Sequence, residues 1–335
     1  NLKIPISLIK ITEEIGNNMN LVQGPGGNIS YKKNDSLYIK ASGTKMSEVR
    51  LKNIFVKVNI NEIISQIENK SSDPIENNWE DDQSLKPSIE TSLHALMPHP
   101  YVIHVHCVNT LSWVVQKNYQ DKIANALGNI NWITVPYVKP GIDLARAIKD
   151  RLNKSHADVI LLTNHGLVVG ADSPEKASTI IKKISHKLSF LEEEKIPINI
   201  DRLNQFLINK NYQLPKYEYV HQLAYSDFYS QIVSKGNFFP DQVVFLKNGF
   251  KIIKNLNQFL KLSKLNCENL PIALIQNKGV LVPKYFRDSN EDTLLGLSKI
   301  ILRIPKNASI SYLTKKDEND LINWDLEKHR QKLNT

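Results

Sequence analysis

Nine histidines occur in the 335-residue chain, and three of them stand where strands would carry them. Tyr101-Val102-Ile103-His104-Val105-His106 reads as a buried strand, and the side-chain period of two puts His104 and His106 on one face. Two imidazoles side by side can share one divalent ion, at nitrogen–zinc distances of about 2.0–2.1 Å. Such pairs are also found merely hydrogen-bonded inside sheets, so a third histidine gives the pattern its weight. His165 supplies it. Asp158 to Leu162 is an apolar strand that runs into Asn164-His165-Gly166 and resumes as Leu167-Val168-Val169. Three strand histidines with an acidic residue nearby match the ligand set of an open catalytic zinc site.

Glu90 and His94 are four residues apart and share one face of a helix that opens at Pro87-Ser88, with Ser88 as its N-cap. His94 rivals the others as a ligand, but it lies one turn deeper in its helix and reads as structural. His99, His156, His186, His221 and His329 have no such company and read as surface or packing residues. Two turns are rich in donors. Gly24-Pro25-Gly26-Gly27-Asn28-Ile29-Ser30 exposes backbone N–H groups that can cradle an oxyanion, and Ser42-Gly43-Thr44 ends a short strand. Both also read simply as tight turns, and the residues alone leave that choice open.

The chain is long enough for one large domain or two ordinary ones. Its 23% charged and 41% hydrophobic residues exclude a disordered protein. No apolar run approaches the roughly 18–20 residues that span a bilayer, which argues against a membrane protein. Asn1 to Thr12 contains Pro5 and shows no signal-peptide pattern. Cys107 and Cys267 are the only cysteines and form no CxxC pair, which fits a reducing cytoplasm. On its strand Cys107 faces away from the histidines, as a buried thiol. The net charge is +9, of which +2 falls in residues 1–195 and +7 in 196–335. The surplus is scattered lysine with no arginine-dense stripe, so no nucleic-acid partner is expected, whereas a small anionic substrate fits.

The elements that must position these groups follow from periodicity. Residues 4–20 read as a helix, Ser36 to Lys40 and Val56–Val58 as strands, and Asn69 to Lys86 as a polar loop with an acidic run at Glu80-Asp81-Asp82. Helices are read at Asn109 to Gln116 and Leu144 to Leu152, a strand at Trp132 to Val138, and a long helix capped by Ser173-Pro174-Glu175 with a stripe reaching Leu191. A boundary falls at Lys195 to Asn199. Beyond it Asp201 to Gly236 is mixed and Gln242 to Leu246 reads as a strand. Pro271 to Val282 repeats the earlier pattern, with Asn277-Lys278-Gly279 where Asn164-His165-Gly166 stood, before a helix at Thr293 to Ile304. The copy carries Lys278 in the ligand position and so holds no ion. Glu318 to Leu333 reads as one amphipathic helix.

Taken together, GPGGNIS (24–30), KASG (40–43), PSIET with LHALMPH (87–99), HVH (104–106), VPYVKPG (135–141) and NHGLVV (164–169) resemble the class II aldolase/adducin family. These pieces cover most of residues 5–195. The chain is most similar to the rhamnulose-phosphate-aldolase-like group with a C-terminal extension. NWDLEKHRQKL (323–333) resembles the end of the aldolase part of those proteins, with no dehydrogenase module after it. The resemblance implies a three-layer α/β/α fold with a largely antiparallel central sheet, in a metal domain at 1–195. A smaller α/β extension without metal ligands, a candidate degenerate repeat, follows at 196–335. It implies zinc or another divalent cation on His104, His106 and His165, with Glu90 at the metal as general base. Gly27, Asn28, Ser42, Gly43 and Ser88 match the turns that hold the substrate phosphate. Ile89 departs from the pattern, since sugar-phosphate aldolases usually carry a second donor there.

The implied activity is that of a metal-dependent aldolase, a lyase making or breaking a C–C bond in a ketose or hydroxy-acid phosphate through a zinc-stabilised enediolate. The same site could serve a sugar-phosphate epimerase, dehydratase or decarboxylase. A non-enzymatic, adducin-like scaffold is a further reading, against which the intact metal set argues. Family members are homo-oligomers, so a dimer or tetramer is expected, with the extension close to the metal.

Overall fold

The computed structural model describes residues 4–69, 79–80, 85–190, 195–262 and 264–334. The expected loop with Asp81-Asp82 lies largely outside them, as does Leu191 of the long helix.

The first part runs α1 (Ile6–Gly16), β1 (Asn28–Lys33), β2 (Ser36–Lys40), β3 (Phe55–Asn59), α2 (Ile60–Glu68), β4 (Trp79–Glu80), α3 (Thr91–Leu96) and β5 (Tyr101–Val105). It continues through α4 (Val108–Val114), α5 (Tyr119–Leu127), β6 (Trp132–Val135), α6 (Ile142–Leu152), β7 (Val159–Leu162), β8 (Gly166–Ala171) and α7 (Pro174–Lys187). Its eight strands form one sheet in the order β4-β3-β2-β1-β5-β8-β7-β6, antiparallel throughout except for the parallel pair β6 and β7. Strand alternation divides the apolar side chains between two helical layers. Ile103 and Val105 pack with α1, α4 and α7, whereas Val102 packs with α3 and α6. Local signals set the helix starts. Asn59 caps α2 by accepting from the backbone of Asn61 and Glu62, and Ser173 caps α7 with Pro174 at the first turn.

The second part comprises β9 (Tyr212–Gln213), α8 (Asp227–Lys235), α9 (Pro240–Phe245), β10 (Phe250–Ile253), α10 (Leu256–Leu262), β11 (Ile272–Ile275), β12 (Gly279–Pro283), α11 (Asp288–Ile301), α12 (Lys315–Ile322) and α13 (Asp325–Lys332). Its sheet has the order β10-β11-β12-β9. The expected repeat has a structural counterpart here. β6 parallel to β7 and β7 antiparallel to β8 recur as β10 parallel to β11 and β11 antiparallel to β12. The turns correspond in detail. Asn164 and Asn277 both take left-handed backbone, at φ 55° and 57°. The Asn164 N–H donates to the Val114 carbonyl (3.2 Å) and the Asn277 N–H to the Ala224 carbonyl (2.9 Å). Helices α6 and α10 follow the first strand of each copy, and α7 and α11 the last.

Three expectations need correction. Gln242 to Leu246 is not a strand but belongs to the short helix α9, started by Pro240. Glu318 to Leu333 is not one helix, because Trp324 is extended (φ −80°, ψ 122°) and separates α12 from α13. Its ring packs over Gly141 with the Lys139 ammonium 4.6 Å from its centroid, a contact that holds it out of helical backbone. Ser88 is not the N-cap of α3. That position falls to Glu90, and the Ser88 hydroxyl accepts from the Glu90 N–H at 3.2 Å instead.

Candidate metal centre

The register places the three expected histidines together. His104 is the last residue but one of β5, where it pairs with Asn28 of β1 and Val168 of β8, His106 follows the strand's end, and His165 lies in the turn between β7 and β8. All three are buried, and one ligand atom from each falls in a single cluster. Partners on the far side of two rings set their tautomers. His104 Nδ1 lies 3.1 Å from the Leu167 carbonyl and His106 Nδ1 lies 3.2 Å from Asp241 Oδ2, so both Nδ1 atoms carry the proton. Their Nε2 lone pairs then face each other at 3.1 Å. Two lone pairs so close repel unless a cation lies between them. Glu90 completes the arrangement, with Oε2 3.4 Å from His104 Nε2 and Oε1 3.2 Å from His165 Nε2. Oε1 is buried without a hydrogen-bond donor. The donor set therefore fits a divalent ion held by three imidazoles beside a carboxylate.

Glu90 is itself held in place. Asn28 Nδ2 donates to its Oε2 at 2.8 Å and to the Ser88 hydroxyl at 3.1 Å. Burial alone would raise the Glu90 pKa, but positive charge in the cluster at His104 and His165 outweighs it and holds the carboxyl well below its ordinary range. His94 stands behind this pair and outside the cluster. Its Nε2 bonds the Asn28 side-chain oxygen and its Nδ1 lies 2.7 Å from the Ser30 hydroxyl, which fits the structural part expected of it. The Asn28 side chain is thus committed to Glu90, Ser88 and His94.

Gly27, Asn28, Ser42, Gly43, Ser88 and Glu90 all line one pocket together with His106 and His165. Two glycines there are required by geometry. A Cβ on Gly26 would meet Asp241 Oδ2 at 2.8 Å, and Gly27 has φ +66°, where a Cβ would meet the His104 carbonyl oxygen at 2.8 Å. The remaining wall comes from far along the chain. Asp241 of α9 and Glu327 and Arg330 of α13 are buried in it, as is Lys40 of β2. Arg330 Nη1 donates to Asp241 Oδ1 at 2.7 Å and lies 3.3 Å from Glu327 Oε2. Leu333 packs on Gly43, and Asn334 donates to the Gly43 carbonyl at 3.1 Å. The pocket is narrow and partly open to solvent, with a cavity volume of about 20 Å³, room for a water or two.

Residues 7–187 match the Class II Aldolase and Adducin N-terminal domain family, more than half of the chain. The chain belongs to that family. It is 29% identical over 217 residues to a Bacillus subtilis (strain 168) protein named Uncharacterized oxidoreductase YuxG, a match covering 59% of this chain and 30% of that protein. It thus spans under a third of the length of this curated relative. Among solved structures, the N-terminal class II aldolase domain of a conserved Thermoplasma acidophilum protein is 26% identical, with a TM-score of 0.48 over 56% of this chain and 93% of that one. An L-fuculose 1-phosphate aldolase is 18% identical, with a TM-score of 0.41 over 54% and 81%. Among the described residues, no helix is long and apolar enough to cross a membrane.

Sequence reasoning missed Lys40, Asp241, Glu327 and Arg330 as pocket residues. Lys40 opens the KASG segment (40–43), where its type and spacing mark no role. Its ammonium donates to the Pro25 carbonyl at 3.2 Å, and burial, with Arg330 nearby, pushes its pKa down to about 7 against the pull of Asp241 and Glu90. Glu327 and Arg330 lay in the quoted tail motif, three apart on one helix face. Asp241 gave no signal. His99 and His156 are also corrected, since they do have company: His99 Nε2 lies 2.8 Å from Asp158 Oδ1, and the His99 and His156 ring centroids are 6.0 Å apart.

The buried imidazoles make the fold sensitive to acid. His94 and His104 are both pushed down to about 3, chiefly by burial, while in the unfolded chain they titrate near about 6.5. As the pH falls through about 6.5 toward 3, the unfolded chain binds protons that the folded chain refuses, so stability declines. The metal-free protein should lose melting temperature steadily between about pH 7 and pH 5. A flat profile over that range would show that these rings are not buried uncharged.

Proposed function

We propose that the chain is a metal-dependent, class II aldolase-type lyase that makes or breaks a C–C bond in a ketose or hydroxy-acid phosphate. His104, His106 and His165 hold zinc or another divalent cation. The observation that supports this most is the pair of imidazole nitrogens 3.1 Å apart beside the buried, donor-free Glu90 oxygen. A divalent ion there would polarise the substrate's oxygens and stabilise the negative charge that develops as the bond breaks. Glu90, oriented by Asn28, takes and returns the proton. The turns at Gly27, Asn28, Ser42, Gly43 and Ser88 receive the substrate's anionic group. Lys40, which donates only to backbone carbonyls, lends the same pocket a cation where Ile89 offers no donor, whereas Arg330 is neutralised by Asp241 and Glu327. α13, which carries Glu327 and Arg330, walls the pocket from the chain's far end.

Residues 1–195 form the metal domain, and 196–335 form an extension without an ion of its own. Lys278 occupies the histidine position of the second copy, where its ammonium stands 5.0 Å from the centre of the Phe206 ring. The protein works as a homo-oligomer, a dimer or tetramer. Light scattering of an active monomer at micromolar concentration would reject that assembly.

The reaction is tested on a panel of phosphorylated ketoses and hydroxy acids, scoring aldehyde plus ketone products before and after chelation and zinc restoration. Epimers without cleavage products would reassign the same site to epimerisation. Single changes His104→Ala, His106→Ala and His165→Ala should each release the ion, read as metal content of the purified variants. Full occupancy in all three would remove this ligand set.

A further inference from the structure

We propose that His99, His156 and Asp158 form a second, solvent-open site for a divalent first-row transition ion such as zinc. It lies at the opposite end of the strands that carry the first. His104, His106 and His165 gather where β5 and β7 end, whereas His99 lies two residues before β5, Asp158 immediately precedes β7, and Gly170 stands near the end of β8 between them. One ligand atom from each of His99, His156 and Asp158 lies within 4.8 Å of the others. His99 Nε2 and Asp158 Oδ1 are 2.8 Å apart, close to the roughly 3–3.5 Å that separates two atoms bound to one ion at about 2.0–2.2 Å.

The donors are held in ways that suit ligation. The His99 ring is pinned over Gly170 with Nδ1 buried and without a hydrogen-bond partner, so only Nε2, which is hydrogen-bonded to Asp158 at 2.8 Å, faces the site. Asn131 holds His156 Nδ1 at 3.2 Å. The atom facing Nδ1 is the amide nitrogen; exchanging the amide's nitrogen and oxygen lets the oxygen accept from Nδ1–H and leaves the lone pair on His156 Nε2, as behind a ligating imidazole. His156 is exposed and free to close the last gap, and the Asp158 side chain is 40% exposed, so water can fill the remaining positions. Lys176, whose ammonium is within electrostatic reach of Asp158, is paired with Asp172 at 2.9 Å. Two imidazoles and one carboxylate with open positions suit zinc, cobalt or nickel better than calcium or magnesium, which prefer all-oxygen shells. An ion there would tie the start of β5 to the start of β7, segments 59 residues apart in sequence.

The test is calorimetric titration of the tag-free full chain with zinc alone, at neutral pH. About two ions per chain are expected. His156→Ala and Asp158→Asn, both at exposed side chains, should each weaken one of them at least about tenfold. His165→Ala should lose the other and keep this one. His99→Ala is avoided because the ring is packed on the sheet. Saturation at a single ion that His165→Ala removes would overturn the proposal. So would a second ion that survives both His156→Ala and Asp158→Asn, since it would then bind elsewhere on the surface.

Discussion

Glu90→Gln should lower turnover by about 10²–10⁴-fold while the protein keeps its fold, the loss expected when a positioned general acid/base is removed. The carboxylate stands 3.2 and 3.4 Å from two imidazole nitrogens, is oriented by Asn28 at 2.8 Å, and has one oxygen with no donor. Glutamine keeps the size of the side chain but cannot take up a proton. It also turns an N–H₂ group toward either Asn28 or the imidazoles, so metal affinity should weaken as well. Steady-state kinetics on the substrate identified by the panel, with circular dichroism to confirm the fold, reads both effects. Near-normal turnover would remove Glu90 from the mechanism and direct attention to His94 behind it.

Arg330→Met should destabilise the protein by about 3–5 kcal/mol, because it leaves two buried carboxylates without their cation. Arg330 contacts both Asp241 and Glu327, and its guanidinium lies 5.2 Å from the centre of the Phe245 ring, so methionine replaces much of the packing but none of the charge. Burial pushes the Asp241 carboxyl up, yet Arg330 and His106 hold it far below the ordinary carboxylate range. A depressed carboxyl contributes stability above its unfolded pKa and loses it as the pH falls toward the folded value. Without Arg330 that contribution shrinks, and Asp241 holds the His106 ring less firmly. Metal affinity should then fall by less than the roughly 10–100-fold lost when the group behind a ligating imidazole is itself removed. Adding Asp241→Asn and Glu327→Gln to Arg330→Met should recover much of the stability but not the metal affinity. Denaturant unfolding of the metal-free variants and a chelator competition measure the two separately. Wild-type stability in Arg330→Met would show that the cation is not needed to bury this pair.

The residues near one another in sequence were legible from the sequence. A side-chain period of two decides that His104 and His106 share a face, and the turn chemistry of Asn-His-Gly decides that His165 interrupts two paired strands. The recurrence of Asn-x-Gly at Asn277 disclosed a second copy of that strand pair, because left-handed asparagine and a following glycine are local requirements of the turn. The same reasoning placed Glu90, Asn28 and Ser88 near the histidines only through the family's motif order, since nothing local says that β1 lies beside β5.

Only the tertiary structure decided what encloses the site. Asp241 reaches His106 across more than a hundred residues, and its helix α9 was read as a strand because Gln242-Val243-Val244-Phe245-Leu246 is a short apolar run with β-branched residues. In so short a run periodicity cannot separate strand from buried helix, and burial on all sides erases the amphipathic stripe. The break at Trp324 was equally hidden, since it depends on Gly141 and Lys139 meeting the ring from another part of the chain. Glu327 and Arg330 look in sequence like an ordinary solvated pair. Their burial against Asp241 comes from the packing of α13 on α9, a long-range arrangement that no local pattern of charge encodes.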